Sequence, residues 1–307
     1  AGNQPTQAYT PRAAESAKRA VIVVGGLWTL SGPVRVAASF AAIFVPQRAA
    51  SSARGPAMNW FDPIESPGSW RWRLGELDLQ AHLRGSVWEI SHRRVEESQE
   101  ARVGESIEPF DIVHRVAGPI AGPLRLRPCH ADRPVVGRPD RPLTVLPGVS
   151  LRVFINVPAW LSLEIGGCAL WEAPSVRPPD TCFGSPVEGS LAYAIRTHLR
   201  TDPTAFKPAP HRIRVPVLLL NEGADPLPVQ RLRVPVQNLG VYAAGDGTLW
   251  SPEVRITRSD APDAALVEVS GQTPGQSQAV LLTPPRVTGS GGPKLLRAFN
   301  SFFSGGA

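Results

Sequence analysis

The sequence predicts a mainly β protein: an antiparallel meander packed with an immunoglobulin-like β-sandwich, finished by a short C-terminal helix. Three observations lead there. The 307 residues include 33 Pro and 28 Gly, and proline breaks the hydrogen-bond ladder inside a helix, which disfavours long helices. Short runs alternate apolar and polar side chains with the period of a strand that buries one face. Turn chemistry built on Gly, Asn and Asp-Pro separates those runs. Hydrophobic residues make up 42% of the chain, enough to bury a core and to exclude disorder throughout. No G-x-y period is present, which excludes collagen.

Residues 1–57 differ from the rest. Arg12, Lys18, Arg19, Arg35, Arg48 and Arg54 face Glu15 alone, so this stretch holds +5 of the formal net charge of +6. Residues 20–46 are almost wholly apolar and long enough to span a bilayer, but Pro33 and Arg35 interrupt their middle. Three readings stand side by side: upstream read-through before a start at Met58, a signal or membrane anchor within residues 15–50, and a folded part of the protein. Lys18 and Arg19 before the apolar run and Ala-Ser-Ser-Ala after it are loosely signal-like. The remaining 250 residues carry a net charge of only +1. They lack the basic excess that a nucleic-acid-binding domain needs, so no nucleic-acid partner is expected. Cys129, Cys168 and Cys182 are odd in number and form no disulfide framework. They fit a reducing compartment, and a cytoplasmic location is expected unless the leader exports or anchors the chain.

Residues 58–140 read as a β-meander. Trp70, Trp72 and Leu74 alternate with Arg71 and Arg73, and Gly75 and Gly85 punctuate the runs. The acidic stretch 96–110 reads as a loop. Residues 117–142 are dense in Pro and Gly, with room for strands only at 124–127 and 135–136. A soft boundary falls near residue 141, and residues 141–275 read as the sandwich. Its strands are expected within 143–158, 160–166, 190–199, 212–236, 253–257 and 265–271. Pro216 and Pro235 push their strands toward an edge or a bulge. Asp246-Gly247 between apolar runs marks a hairpin. Residues 276–307 form a Gly/Pro linker and an amphipathic tail. There Leu295, Leu296, Phe299, Phe302 and Phe303 fall on one helical stripe.

The motif search is mostly negative. Six histidines are scattered singly, and neither C-x-x-C nor H-E-x-x-H is present, so no metal is expected. No G-x-S-x-G elbow exists, and Gly245-Asp246-Gly247 lacks the third glycine and the following helix of a phosphate cradle. No catalytic residue and no cofactor is therefore assigned. Glu96, Glu97, Glu100, Glu105, Glu108 and Asp111 cluster, but a glycosidase needs two carboxylates fixed across a cleft. Trp70 and Trp72 share one strand face, and with Trp88 they could stack on sugars. Arg125 with Arg127, Arg212 with Arg214, and Arg231 with Arg233 each line one strand face, either as a solvated surface or as one for anions or an acidic partner.

The blocks at 143–165, 177–195, 211–236 and 247–256, in that order, resemble an uncharacterised prokaryotic family, domain of unknown function 432. The resemblance covers about residues 65–303 and leaves out residues 1–57, which supports a start near Met58. It brings no reaction and no catalytic residues. At Cys182 the chain departs from a large aromatic carried by the family. Members are encoded near small mechanosensitive channels, so the resemblance implies a membrane channel as partner. Two functions follow. One is a non-enzymatic binding or accessory β-protein that meets its partner through Leu295, Leu296, Phe299, Phe302 and Phe303. The other is a carbohydrate-binding or carbohydrate-active protein that uses Trp70, Trp72 and Trp88. An enzyme built on the 96–111 carboxylates is a third, weaker reading.

Overall fold

The longest alternating segment of the sequence forms the longest hairpin. In the computed structural model, which describes residues 60–65, 68–105, 110, 114–184, 189–258, 265–270, 279–288, 294–296 and 298–299, strand β1 (Ser69–Arg84) pairs antiparallel with β2 (Val87–Glu105). Gly85 closes the turn at φ +62°, a conformation only glycine adopts freely. The leader and Met58 lie outside the described residues. On β1 the buried apolar side chains are Trp72 and Leu74, then Leu77, Leu79 and Ala81. The parity changes at Gly75, where a bulge shifts the register and re-aims the strand. The stretch expected as an acidic loop is strand as far as Glu105, because the outer half of β1 supplies its pairing partner. β3 (His114–Ala117) adds to the other edge of β2.

Seventeen further strands follow: β4 (Leu124–Cys129), β5 (Val135–Gly137), β6 (Leu143–Val145), β7 (Ser150–Pro158), β8 (Trp160–Ile165), β9 (Cys168–Pro174), β10 (Asp180–Phe183), β11 (Ser190–Ala194), β12 (Arg212–Asn221), β13 (Leu227–Val229), β14 (Leu232–Val234), β15 (Val241–Ala243), β16 (Leu249–Trp250), β17 (Val254–Arg258), β18 (Ala265–Val269), β19 (Val280–Thr283) and β20 (Lys294–Leu296). The only helices among the described residues are single 3-10 turns at Pro203–Ala205 and Val236–Asn238. The protein is mainly β, as its composition predicts.

The largest sheet runs β19-β15-β16-β12-β17-β18-β20, with β7 also on β12. It is mixed, not wholly antiparallel, because β12 pairs in parallel with β16 and with β17. That arrangement explains Pro216. Its partner Phe154 on β7 directs both backbone polar groups to Arg200 instead of β12. On the other side, β16 pairing ends at Arg214 and β17 pairing starts at Val217. The missing N–H therefore falls in a gap between partners, inside a central strand instead of at an edge. The hairpin at Asp246-Gly247 forms as expected, with Asp246 Oδ1 accepting from Thr248 N at 2.9 Å. β4-β8-β9 and β10-β11-β5-β14 make two further sheets, and β13 pairs with β6.

The C-terminal segment differs from the expected helix. Lys294–Leu296 is β20, paired with β18, and Phe299 bridges to Leu232. An apolar stripe suits a strand as well as a helix when a sheet edge offers backbone partners. Among the described residues no helix is long and apolar enough to cross a membrane. The three cysteines are free, with Cys129 buried and the other two exposed.

Candidate functional site

The face of the large sheet opposite its core carries the polar residues of the β7–β12 pair. On β12, Ile213, Val215, Val217 and Leu219 are buried in the core, so Arg212 and Arg214 alternate onto the other face. Asn156 on β7 stands directly across from Arg214. Arg214 lies over the Trp250 ring, 5.3 Å from its centroid. Arg212 and Asn156, 9% and 5% exposed, instead line a cavity of about 380 Å³. That volume lies in the range of small-molecule sites.

One wall is β2. Glu97 Oε1 accepts from Arg212 Nη2 at 2.6 Å and lies 3.1 Å from His211 Nε2. Burial opposes ionisation of Glu97, but Arg212 and His211 outweigh it and hold its carboxyl below the ordinary range. Burial likewise lowers the pKa of His211, and Glu97 opposes that shift only in part. Gly75 makes this packing possible. A Cβ there would lie 2.8 Å from both His211 Cδ2 and the Ser175 carbonyl oxygen. Glu76 N donates to that same carbonyl at 2.8 Å.

The opposite wall is the segment between β11 and β12. Thr197 Oγ1 donates to the Asn156 carbonyl at 2.6 Å, and Arg200 exchanges two backbone hydrogen bonds with Phe154. Asp202 caps the 3-10 turn by accepting from Thr204 N at 2.8 Å. These contacts fix Arg196, His198, Arg200 and Lys207 around the opening. The Arg200 guanidinium lies 5.8 Å from the centroid of Phe206, a buried ring of the lining.

The cavity is cationic. Arg196, Arg200, Lys207 and Arg212 line it, against the single carboxylate of Glu97. The outer partners of two of them are loose: Arg196 to Glu76 at 3.5 Å and Arg200 to Asp140 at 4.0 Å. Exposed ion pairs at such distances are worth little and exchange readily for a ligand. Lys207 has no carboxylate partner among the described residues. The side-chain amide of Asn156 makes no hydrogen bond to a described residue, although the residue is nineteen-twentieths buried. The residue lines the cavity, so this amide is available to something that enters it.

The residues singled out in the sequence fall elsewhere, with two exceptions. Trp72 and Trp88 are 1% and 0% exposed, members of the core, and Trp88 Nε1 donates to the Pro119 carbonyl at 2.8 Å. Neither ring presents a face to a ligand, and Trp70 is half-buried beside them. Phe299 is buried against β14, Leu295 and Leu296 belong to β20, and Phe302 and Phe303 lie outside the described residues. Of the acidic cluster, Glu97 alone reaches the cavity; Glu108 and Asp111 lie outside the described residues. Of the arginine pairs, Arg212 reaches it. Sequence reasoning missed Arg196, Arg200, Phe206 and Lys207, and it missed Asn156. Its signal was a lone amide inside the apolar run Val153–Val157. Among the described residues no group of His, Cys, Asp and Glu is placed to hold a metal ion.

A family described as "Protein of unknown function (DUF432)" matches residues 60–303. The chain belongs to that family. The matched region contains every strand and every residue of the cavity. The DUF432 match is thus a match to the whole architecture that builds the site. No curated protein and no solved structure matches the chain.

Proposed function

We propose that this DUF432 protein is a binding protein whose cavity between β2, β7, β12 and the β11–β12 segment holds a small organic anion. The Asn156 amide, which lines the cavity and makes no hydrogen bond to a described residue, together with four cationic side chains of the lining, carries the reading. The ligand's acidic group would sit between Arg196, Arg200 and Lys207. A polar group would meet Asn156, and an apolar body would rest on Phe206. Arginine forks suit carboxylate and phosphate groups, and a partly enclosed cavity strengthens each contact over its value in water. The test is a thermal-shift panel of dicarboxylates, sugar phosphates and nucleoside monophosphates against the full chain. A hit should raise the melting temperature in wild type. Its affinity should fall at least about tenfold in Arg200→Gln and in Asn156→Leu, one charged contact and one amide respectively. A panel without a hit, or a hit indifferent to both substitutions, removes the reading.

A second observation favours an accessory role. On β19, the terminal strand of the large sheet, Val280 and Leu281 are 63% and 49% exposed. Exposed aliphatics on a terminal strand are a place for a partner. The membrane channel implied by the resemblance is the partner to look for. Its recovery with the tagged chain from detergent-solubilised cells, lost in Leu281→Glu, is the expected outcome. Recovery of the chain alone, folded, counts against it.

A further inference from the structure

A second cationic recess lies on the β1–β2 hairpin and shares no residue with the cavity above. Arg71, Arg73, Arg102, Val103, Gly104 and Glu105 line a groove of about 370 Å³. The pairing register explains it. Arg71 stands opposite Gly104, Trp72 opposite Val103, and Arg73 opposite Arg102. Because Trp72 is buried in the core, its neighbours Arg71 and Arg73 point to the outer face with Arg102. Gly104 supplies an open floor between them, since a Cβ there would meet nothing within 4 Å.

Three guanidiniums share this groove with one carboxylate, Glu105, which makes no ion pair with a described residue. Arg71 is matched: its Nε and Nη2 donate to the buried carboxylate of Asp78 at 2.8 and 2.6 Å, which leaves Nη1. Arg102 has only Glu100 at 3.3 Å, and both side chains are at least 70% exposed. Arg73 has no carboxylate within ion-pair distance among the described residues, and its buried Nε has no hydrogen-bond partner. Like charges directly opposite on two strands destabilise the pair. The fold nevertheless places Arg73 against Arg102, with a third guanidinium beside them and an unfilled floor.

We infer that this groove binds a phosphate group. A carboxylate offers two oxygens and is matched by one guanidinium fork. A terminal phosphate offers three, and this groove is lined by three guanidiniums, of which Arg71 keeps only Nη1. Its charge would relieve the Arg73–Arg102 repulsion that the register imposes. The group can come from a free phosphate or phosphate ester, or from a lipid headgroup. The same site serves either source.

The experiment uses the full chain at constant ionic strength. Inorganic phosphate replaces chloride in calorimetric titrations of wild type, Arg73→Gln, Arg102→Gln and, as a control at an exposed arginine that lines neither recess, Arg255→Gln. In parallel, the four proteins are sedimented with phosphatidylcholine vesicles with and without phosphatidic acid, whose headgroup is a terminal phosphate. Circular dichroism in chloride checks that each variant is folded. The expected result is phosphate binding that is retained in Arg255→Gln and at least about tenfold weaker in Arg73→Gln and Arg102→Gln. Sedimentation that needs phosphatidic acid and Arg73, without binding of inorganic phosphate, equally supports the site and identifies the headgroup as its source. Binding of phosphate or vesicles that is the same in wild type, Arg73→Gln and Arg102→Gln overturns the inference. So does the absence of both.

Discussion

His130 is 1% exposed, with Nε2 2.6 Å from Ser251 Oγ and its carbonyl accepting from Arg286 Nε at 2.6 Å. Burial, aided by the Arg286 charge, pushes its pKa down to about 3. In the unfolded chain the value is about 6.5. Between those values the unfolded state takes up a proton that the native state refuses. The native state is therefore at full advantage above about pH 6.5 and loses about 1.4 kcal/mol per pH unit as the pH falls toward about 3. His211 is shifted in the same direction, chiefly by burial, and adds to the slope at the start of that window. Asp78 acts lower. Burial opposes its ionisation, but Arg71 and Arg93 prevail and hold its carboxyl below the usual range, so its share is lost only as the pH falls through carboxylate values. Urea unfolding at pH 7, 6 and 5 should therefore show falling stability. His130→Gln should be less stable at pH 7 yet lose about one proton's worth of slope. An unchanged slope in that variant would place the proton uptake elsewhere.

The β1–β2 hairpin shows how one element can prepare another's site. Its bulge at Gly75 turns the first half of β1 out of phase with the second and leaves room for His211, which in turn meets Glu97 on β2. Gly75→Ala meets two penalties. Its φ of +61° is strained for any side chain, and its Cβ would press on backbone as well as on a ring. A loss of about 2 kcal/mol or more is expected in urea unfolding. Anion affinity in the cavity should weaken with it, because the Glu97 wall moves. Retained stability and affinity would show that the bulge is dispensable. Elements with local signals were legible in the sequence: strands at 124–127 and 135–136, the Asp246-Gly247 turn, the period-2 runs of β1 and β12. Elements defined by a distant partner were not. Residues 96–105 look like a solvated loop until β1 lies beside them, and the tail's apolar stripe fits a helix until β18 offers an edge. The cavity divides in the same way. Arg212 stood out as half of a strand-face pair, whereas its contact with Glu97 spans 115 positions and leaves no local pattern.

At the scale of the whole molecule, the sheets are laced through one another along the sequence. β4 pairs with β8, β5 lies between β11 and β14, and Phe299 near the C-terminus bridges to β14. Pairing thus crosses residue 141 repeatedly, and the described residues all fall in one compact unit. A single cluster of buried side chains extends from Trp60 to Phe299 and includes Trp72 and Trp88 of the first hairpin as well as Val217 and Ile256 of the large sheet. A sheet interrupted by removal of one strand leaves unpaired backbone and an uncovered apolar face, so its neighbours lose stability with it. Loss of the first hairpin would remove Trp72, Leu74, Leu77, Leu79, Trp88 and Ile90 from that cluster and uncover the side chains packed on them. The hairpin should therefore not melt ahead of the large sheet. Tryptophan fluorescence, weighted by the buried Trp72 and Trp88, and far-ultraviolet circular dichroism, weighted by all the strands, should give one common urea midpoint. Chains cut at residue 141 should yield no folded half. A fluorescence transition that precedes the dichroism transition, or a soluble cooperative fragment ending at 141, would instead make the hairpin and its neighbours a separate folding body.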